Sequence, residues 1–164
     1  GGAQRYDTVY NALKAAQELA IDTAPKEVLI YIHDGARPCI SREIIKNCEE
    51  AALQYGACTA AVPVKDTIKV VSPEGFAVDT PDRNTLWQIQ TPQVFRSDII
   101  SSAYAKMYAD TDRGTITDDA MLVERYTDVP VKMAMGAYTN IKITTPEDLE
   151  IAGLFIRRSL VDCC

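Results

Sequence analysis

Three observations in the 164-residue sequence predict an α/β fold, with a mainly parallel sheet, helices on both faces and a protruding β-hairpin arm. Short apolar runs alternate with segments of helical periodicity along the chain. One such run, Val28-Leu29-Ile30-Tyr31-Ile32, is too short and too continuous for an amphipathic helix and reads as a buried parallel strand. Two further runs, 64–71 and 76–80, flank Ser72-Pro73-Glu74-Gly75, which is turn chemistry. With no internal repeat or low-complexity stretch, residues 1–164 are expected to form one domain, with the arm at about 64–85.

Each element has a local reason. Residues 1–6 are a glycine-led loop, and Asp7 is placed to cap a helix to about Leu19 with Val9, Leu13 and Ala16 on one face. Thr23-Ala24-Pro25 breaks the chain before a strand at 27–33. Ser41 caps a helix to about Tyr55, where Gly56 provides the stop. Residues 58–63 form a strand of small side chains. The hairpin follows. A two-stranded ribbon is marginal alone, so it is expected to pack on a twofold-related copy, the alternative being its own sheet. Gln90, Thr91 and Gln93 around Pro92 suggest a rigid polar loop. Ser97 is expected to cap a helix to about Tyr108, and a short helix spans Thr117–Glu124. Strands are expected at 131–135 and 140–144. Thr145-Pro146-Glu147-Asp148 opens a final helix to about Leu160, whose apolar face includes Leu149, Ile151, Ala152, Leu154 and Phe155.

Composition narrows the function. Apolar residues make up 47% and charged residues 24%, which is the globular norm. A net charge of −6 argues against nucleic-acid or membrane-surface binding, and no run is long enough to span a bilayer. The five cysteines lack metal-ligand spacing and read as reduced thiols of a cytoplasmic protein. His33 is the sole histidine, which argues against a histidine triad or a multi-histidine zinc site.

Chemistry is expected just outside the carboxyl end of the 28–32 strand, where Asp34, Gly35 and Arg37 follow. Asp34 can hold a ribose hydroxyl and Arg37 can fork onto an anion, or the two can form a plain loop ion pair. Both readings stand at this level. Thr67, Arg83, Thr91, Thr117 and Lys142 also occupy strand ends or polar loops, although Thr117 equally suits a helix cap. Cations with hydroxyls suit phosphate and polyol groups. No residue pairs as nucleophile and base, so phosphoryl or nucleotidyl transfer fits better than hydrolysis through a covalent intermediate.

Several stretches together resemble the 2-C-methyl-D-erythritol 4-phosphate cytidylyltransferase family. They are Gly1–Arg5 with Thr8, His33–Pro38, Pro63–Lys69, Pro81-Asp82-Arg83 with Leu86-Trp87, Gln90–Phe95, Thr117–Glu124 and Asn140–Leu149. The resemblance implies a Rossmann-like nucleotidyltransferase fold and CMP transfer from CTP to methylerythritol phosphate, releasing pyrophosphate. It implies Mg²⁺, carried mainly by the CTP phosphates. Gly2, Ala3 and Thr8 would border the cytidine, and Asp34 and Gly35 the ribose. Arg37, Thr67, Thr91 and Thr117 would line the methylerythritol phosphate site, with Arg83 and Lys142 as the catalytic cations placing that phosphate. The arm would cross a homodimer, so that Thr67 and Arg83 serve the neighbour's site.

The resemblance also implies a glycine-rich opening loop with an arginine and a lysine, which nothing in the sequence matches. On that basis residues 1–164 are expected to be N-terminally incomplete, to expose a strand edge and an apolar face, and to be inactive alone. The alternatives are a ribitol 5-phosphate cytidylyltransferase and a non-catalytic, dimerising nucleotide-binding module.

Overall fold

The computed structural model describes residues 1–19 and 28–161. The break at Thr23–Pro25 and the terminal pair Cys163 and Cys164 lie outside the described residues. Helix α1 (Arg5–Leu19) precedes strand β1 (Leu29–Ile32), helix α2 (Arg42–Tyr55) and strand β2 (Ala57–Pro63). The arm contains β3 (Val70–Val71) and β4 (Ala77–Asp79), and a 3₁₀ turn at Arg83–Thr85 leads into the long strand β5 (Trp87–Arg96). Helices α3 (Ser97–Ala109) and α4 (Asp119–Tyr126), strand β6 (Lys132–Met135) and helix α5 (Pro146–Val161) complete the chain.

The main sheet has the order β1-β5-β2-β6. Strands β1, β2 and β6 run in one direction, as an α/β sheet requires. Strand β5 enters between β1 and β2 in the opposite sense and pairs antiparallel with both. Run 28–32 is therefore not the buried parallel strand its composition suggests. Among the described residues β1 is an edge strand, antiparallel to β5, with side chains half-buried and Tyr31 exposed. Apolar continuity reports a preference for burial; it carries no information about the direction of a distant partner strand.

The pleat divides the core into two layers. Ala57 and Phe95 face one side, against Leu13 of α1, Ile99, Ile100, Tyr104 and Met107 of α3, and Leu122 and Val123 of α4. Cys58, Ala60 and Val94 face the other, against Ile44, Cys48 and Ala52 of α2. Small residues along β2 let helices approach closely on both faces.

Several local expectations hold. Ser41 caps α2, its hydroxyl accepting from the Ile44 N–H, and Gly56 ends it at φ 86°. The N–H groups of Thr144 and Thr145 both donate to the Asp148 carboxylate at the start of α5. Others shift. Helix α1 starts at Arg5, so Asp7 is not the N-cap; from the first turn it accepts from the Gln4 N–H, the return half of a capping box. Arg96 takes the N-cap position of α3 in place of Ser97, which is buried in the first turn. Asp118, not Thr117, caps α4 by accepting from the Met121 N–H.

Two segments fold differently from expectation. Gln90–Gln93 is not a loop but the buried middle of β5, because its amides find partners inside the fold. Residues 140–144 form no strand; they wrap around the site, with the Ile143 N–H donating to the Ala36 carbonyl. Helix α5 buries Ala152 while Leu149, Ile151 and Leu154 stay exposed, so its apolar face is only partly covered.

The arm forms its own two-stranded sheet and does not join the main one. Gly75 closes its turn at φ 87°, in the left-handed region that glycine alone enters without strain. Every residue of β3 and β4 is exposed, and Phe76 is 73% exposed.

Candidate active site

The carboxyl end of β1 delivers Asp34 into a cluster of cations. Lys142 Nζ lies 2.9 Å from the Asp34 carboxylate, and Arg37 Nε lies 3.9 Å away. The dominant partner is thus Lys142, reached across the fold from the 140–144 segment, and not the local Arg37. Burial alone would raise the Asp34 carboxyl. The hydrogen bond and charge of Lys142, with the charges of Arg5 and Arg37, more than offset this and hold it below its ordinary value. Burial draws the Arg37 guanidinium down, opposed by Asp34.

A buried polar scaffold fixes these groups. The Asp34 N–H donates to Thr91 Oγ1 at 3.0 Å, and Thr91 Oγ1 lies 3.1 Å from His33 Nδ1. His33 Nε2 lies 3.0 Å from the Arg37 carbonyl, which can only accept. In the neutral ring Nε2 is therefore the donor, so Nδ1 accepts from the Thr91 hydroxyl. That hydroxyl is buried and occupied on both sides, so the Thr91–His33 pair locks the loop and presents no free nucleophile. Arg37 Nη1 donates to the Asn140 carbonyl at 2.8 Å. Asn140, fully buried, donates its amide to the Thr91 carbonyl and to Gln90 Oε1. Gln90 in turn donates to the Ala137 carbonyl. Strand β5 thereby ties the Asp34 loop to the Lys142 segment.

A second network lies beside the first. The glycine-led loop closes through the Gly2 N–H donating to Thr8 Oγ1 at 2.9 Å. A Cβ on Gly2 would meet Asp7 Cβ at 2.3 Å, so the close turn needs glycine there. Arg5 follows, 2.7 Å from the carboxylate of buried Asp119. Tyr104 donates to that carboxylate, and Gln93 Oε1 accepts from the N–H groups of Asp119 and Ala120. Burial draws the Arg5 guanidinium down, but Asp119 outweighs it and Asp34 adds to the upward shift. Arg5 is thus held by Asp119 in this second network, close enough to Asp34 for their charges to interact.

Of the residues expected from sequence, Asp34, Arg37, Thr91 and Lys142 come together. Gly35 is exposed, with open space around its Cα. Gly2, Ala3 and Thr8 shape the loop ahead of α1. Thr117 is exposed one residue before the α4 cap, its hydroxyl toward Met121. Thr67 and Arg83 lie on the arm, where Arg83 Nη1 donates to the Lys65 carbonyl. Sequence reasoning missed Arg5, Gln93, Asp119 and Asn140 as site residues. A cation directly behind a glycine-led loop was a signal available for Arg5; nothing local marked the other three.

An α/β domain that gathers a carboxylate, cations and hydroxyls at strand-end loops has its polar groups where open α/β sheets as a class place their ligand sites. The match to known proteins is specific within that class. The family model described as 2-C-methyl-D-erythritol 4-phosphate cytidylyltransferase matches residues 1–158. The chain belongs to this family.

Proteins of that name from Lachnospira eligens and Caldanaerobacter subterraneus are 51% and 46% identical over 157 and 158 residues, each match covering 96% of the chain. The chain spans 66% and 65% of their lengths, just under two-thirds. The crystal structure of the Thermus thermophilus protein of that name superposes with a TM-score of 0.79 at 32% identity, covering 96% of this chain and 71% of that one. The crystal structure of 4-diphosphocytidyl-2C-methyl-D-erythritol synthase from Anaerococcus prevotii gives 0.80 at 33% identity, covering 96% and 66%.

Proposed function

We propose that the protein carrying this chain transfers CMP from CTP to methylerythritol phosphate. A phosphate oxygen of the polyol phosphate forms a bond to the α-phosphorus of CTP. The α–β phosphoanhydride bond breaks and pyrophosphate leaves. The substrates supply nucleophile and leaving group, so the protein's work is positioning and charge stabilisation. The single observation carrying this reading is the Asp34–Lys142–Arg37 cluster at the end of β1, in a chain that belongs to the family.

In this reading Gly2, Ala3 and Thr8 border the cytidine, and Asp34 and Gly35 the ribose. Arg37, Thr67, Thr91 and Thr117 line the polyol phosphate site, and Arg83 and Lys142 place its phosphate. Arg5 adds positive potential beside the nucleotide loop. The arm crosses a homodimer, bringing Thr67 and Arg83 to the neighbour's site. The exposed apolar side chains of Val70, Val71, Phe76 and Val78 support this, since a ribbon with both faces open gains by burying one.

Mg²⁺ is the ion the reading implies, held through the triphosphate. Among the described residues no three His, Cys, Asp or Glu side chains gather as a metal-holding group, and the Asp34 carboxylate is taken by Lys142. An ion carried by the triphosphate would take most of its ligands from phosphate and water oxygens and would need no such group. A cytoplasmic setting accords with Cys39, Cys48 and Cys58 being free thiols.

The test is pyrophosphate release from CTP by the protein carrying this chain, with methylerythritol phosphate and ribitol 5-phosphate offered side by side. Preferential turnover of methylerythritol phosphate supports the assignment. Preference for ribitol 5-phosphate, or turnover of neither, overturns it.

A further inference from the structure

The arm stands off the body on two chain connections, yet one aromatic side chain from the Lys142 segment is bound to its root. Tyr138 donates its hydroxyl to the Pro63 carbonyl at 2.8 Å, where β2 leaves the main sheet for the arm. Lys65, two residues along, sets its ammonium 3.4 Å from the centroid of the Tyr138 ring. The Lys65 carbonyl is the acceptor for Arg83 on the returning limb. The outgoing limb thus rests on Tyr138 directly, the returning limb is tied to it through Lys65, and Pro63 also pairs with Trp87 across the sheet.

On its other side Tyr138 belongs to a segment with little freedom. The Gly136 N–H donates to the Ala61 carbonyl at 2.8 Å, and a Cβ on Gly136 would meet Gln90 Oε1 at 2.4 Å. The Asn140 N–H donates to the Ala137 carbonyl, and the Asn140 carbonyl holds Arg37. Lys142 follows, on Asp34.

We propose that Tyr138 is a positioning residue that staples the arm root to the Asn140–Lys142 segment, so that the arm's attitude and the phosphate-binding cluster are set together. This rests on the reading above, in which the arm carries Thr67 and Arg83 to a site. It extends that reading: a residue that touches no substrate couples the cations a protomer keeps to the cation it lends.

The experiment is amide hydrogen exchange followed by mass spectrometry on the protein and its Tyr138→Ala, Tyr138→Phe and Lys65→Met variants. Fluorescence anisotropy of Trp87, the sole tryptophan, accompanies it. In Tyr138→Ala, exchange rises several-fold in both 64–71 and 137–143 and stays unchanged in α3, while Trp87 anisotropy falls. Tyr138→Phe keeps the ring under Lys65 and restores part of the protection in both segments. Lys65→Met loosens the same two segments, and combined with Tyr138→Phe it adds less than the sum of the two.

Unchanged exchange, loosening of one segment without the other, or full additivity of the two mild variants overturns the proposal. Should Tyr138→Ala fail to fold, the two mild variants decide alone. Failure of the underlying reading shows differently: Arg83→Ala would leave polyol phosphate binding intact while the exchange pattern above persisted.

Discussion

Asn140→Ala tests the scaffold that joins the two halves of the site. The Asn140 side chain is fully buried, and its amide donates to the Thr91 carbonyl at 2.9 Å and to Gln90 Oε1 at 3.2 Å. Alanine leaves both acceptors without that donor. Each buried acceptor so orphaned costs about 1–3 kcal/mol. Gln90 is held at its other end by the Ala137 carbonyl and cannot turn outward freely, so relaxation recovers little. Sharing of the vacated space places the sum at about 2–4 kcal/mol. For a domain of this size each kcal/mol lowers the melting temperature by roughly 2–4 °C, which gives a fall of about 4–16 °C. Urea unfolding, read for midpoint and slope, is the assay. Asn140→Asp is the companion: nearly isosteric, but its ionised carboxylate cannot donate, so it destabilises at least as much at neutral pH and recovers partly on acidification. A loss below about 0.5 kcal/mol for the alanine variant, with unchanged slope, would refute the reasoning.

Asp34 makes a prediction about pH. Its carboxyl is held below the ordinary value, so its contribution to stability is complete above the unfolded value near ~3.9 and is lost as pH falls through the folded one. Stability profiles of the protein and Asp34→Asn should therefore differ at neutral pH, by roughly 0.5–1 kcal/mol for a partly exposed pair, and converge in acid. Parallel profiles down to the lowest accessible pH would contradict the Lys142 pairing. The arm makes a prediction about association. Phe76→Ser leaves the monomer's unfolding midpoint unchanged because the ring touches little within the chain. It weakens self-association about tenfold or more by sedimentation velocity, the effect of withdrawing one large apolar side chain from an interface. Unchanged association would place the interface elsewhere.

Local chemistry made much of the fold legible. Ser41, Gly56 and Pro146 mark helix ends by groups they carry themselves, and Ser72–Gly75 marks a turn that needs no distant partner. What failed to show was decided at long range. Gln90, Thr91 and Gln93 read as loop because amides and a hydroxyl are uncommon in a central strand; their partners, Ala137, Asn140, His33 and Asp118, lie up to 58 positions away or in other elements. The direct ion pair of Lys142 with Asp34 was equally invisible, although both residues were expected at one site. Residues 140–144 alternate like a strand, yet their backbone serves the Asp34 loop and not a ladder. Cations and hydroxyls advertised the site; the buried amides that aim them did not.

In the proposed function, cations from two copies of the chain act on one pair of phosphorylated reactants. Lys142→Met and Arg83→Ala proteins, each deficient in methylerythritol phosphate binding in the presence of CTP, can be mixed in equal amounts and re-equilibrated. Half of the dimers then pair one variant with the other, and each such dimer regains one site with Lys142 from one copy and Arg83 from its mate. Calorimetric titration of the mixture should recover about one binding site per four chains. A mixture that binds no better than its two components would show that each copy builds its site alone.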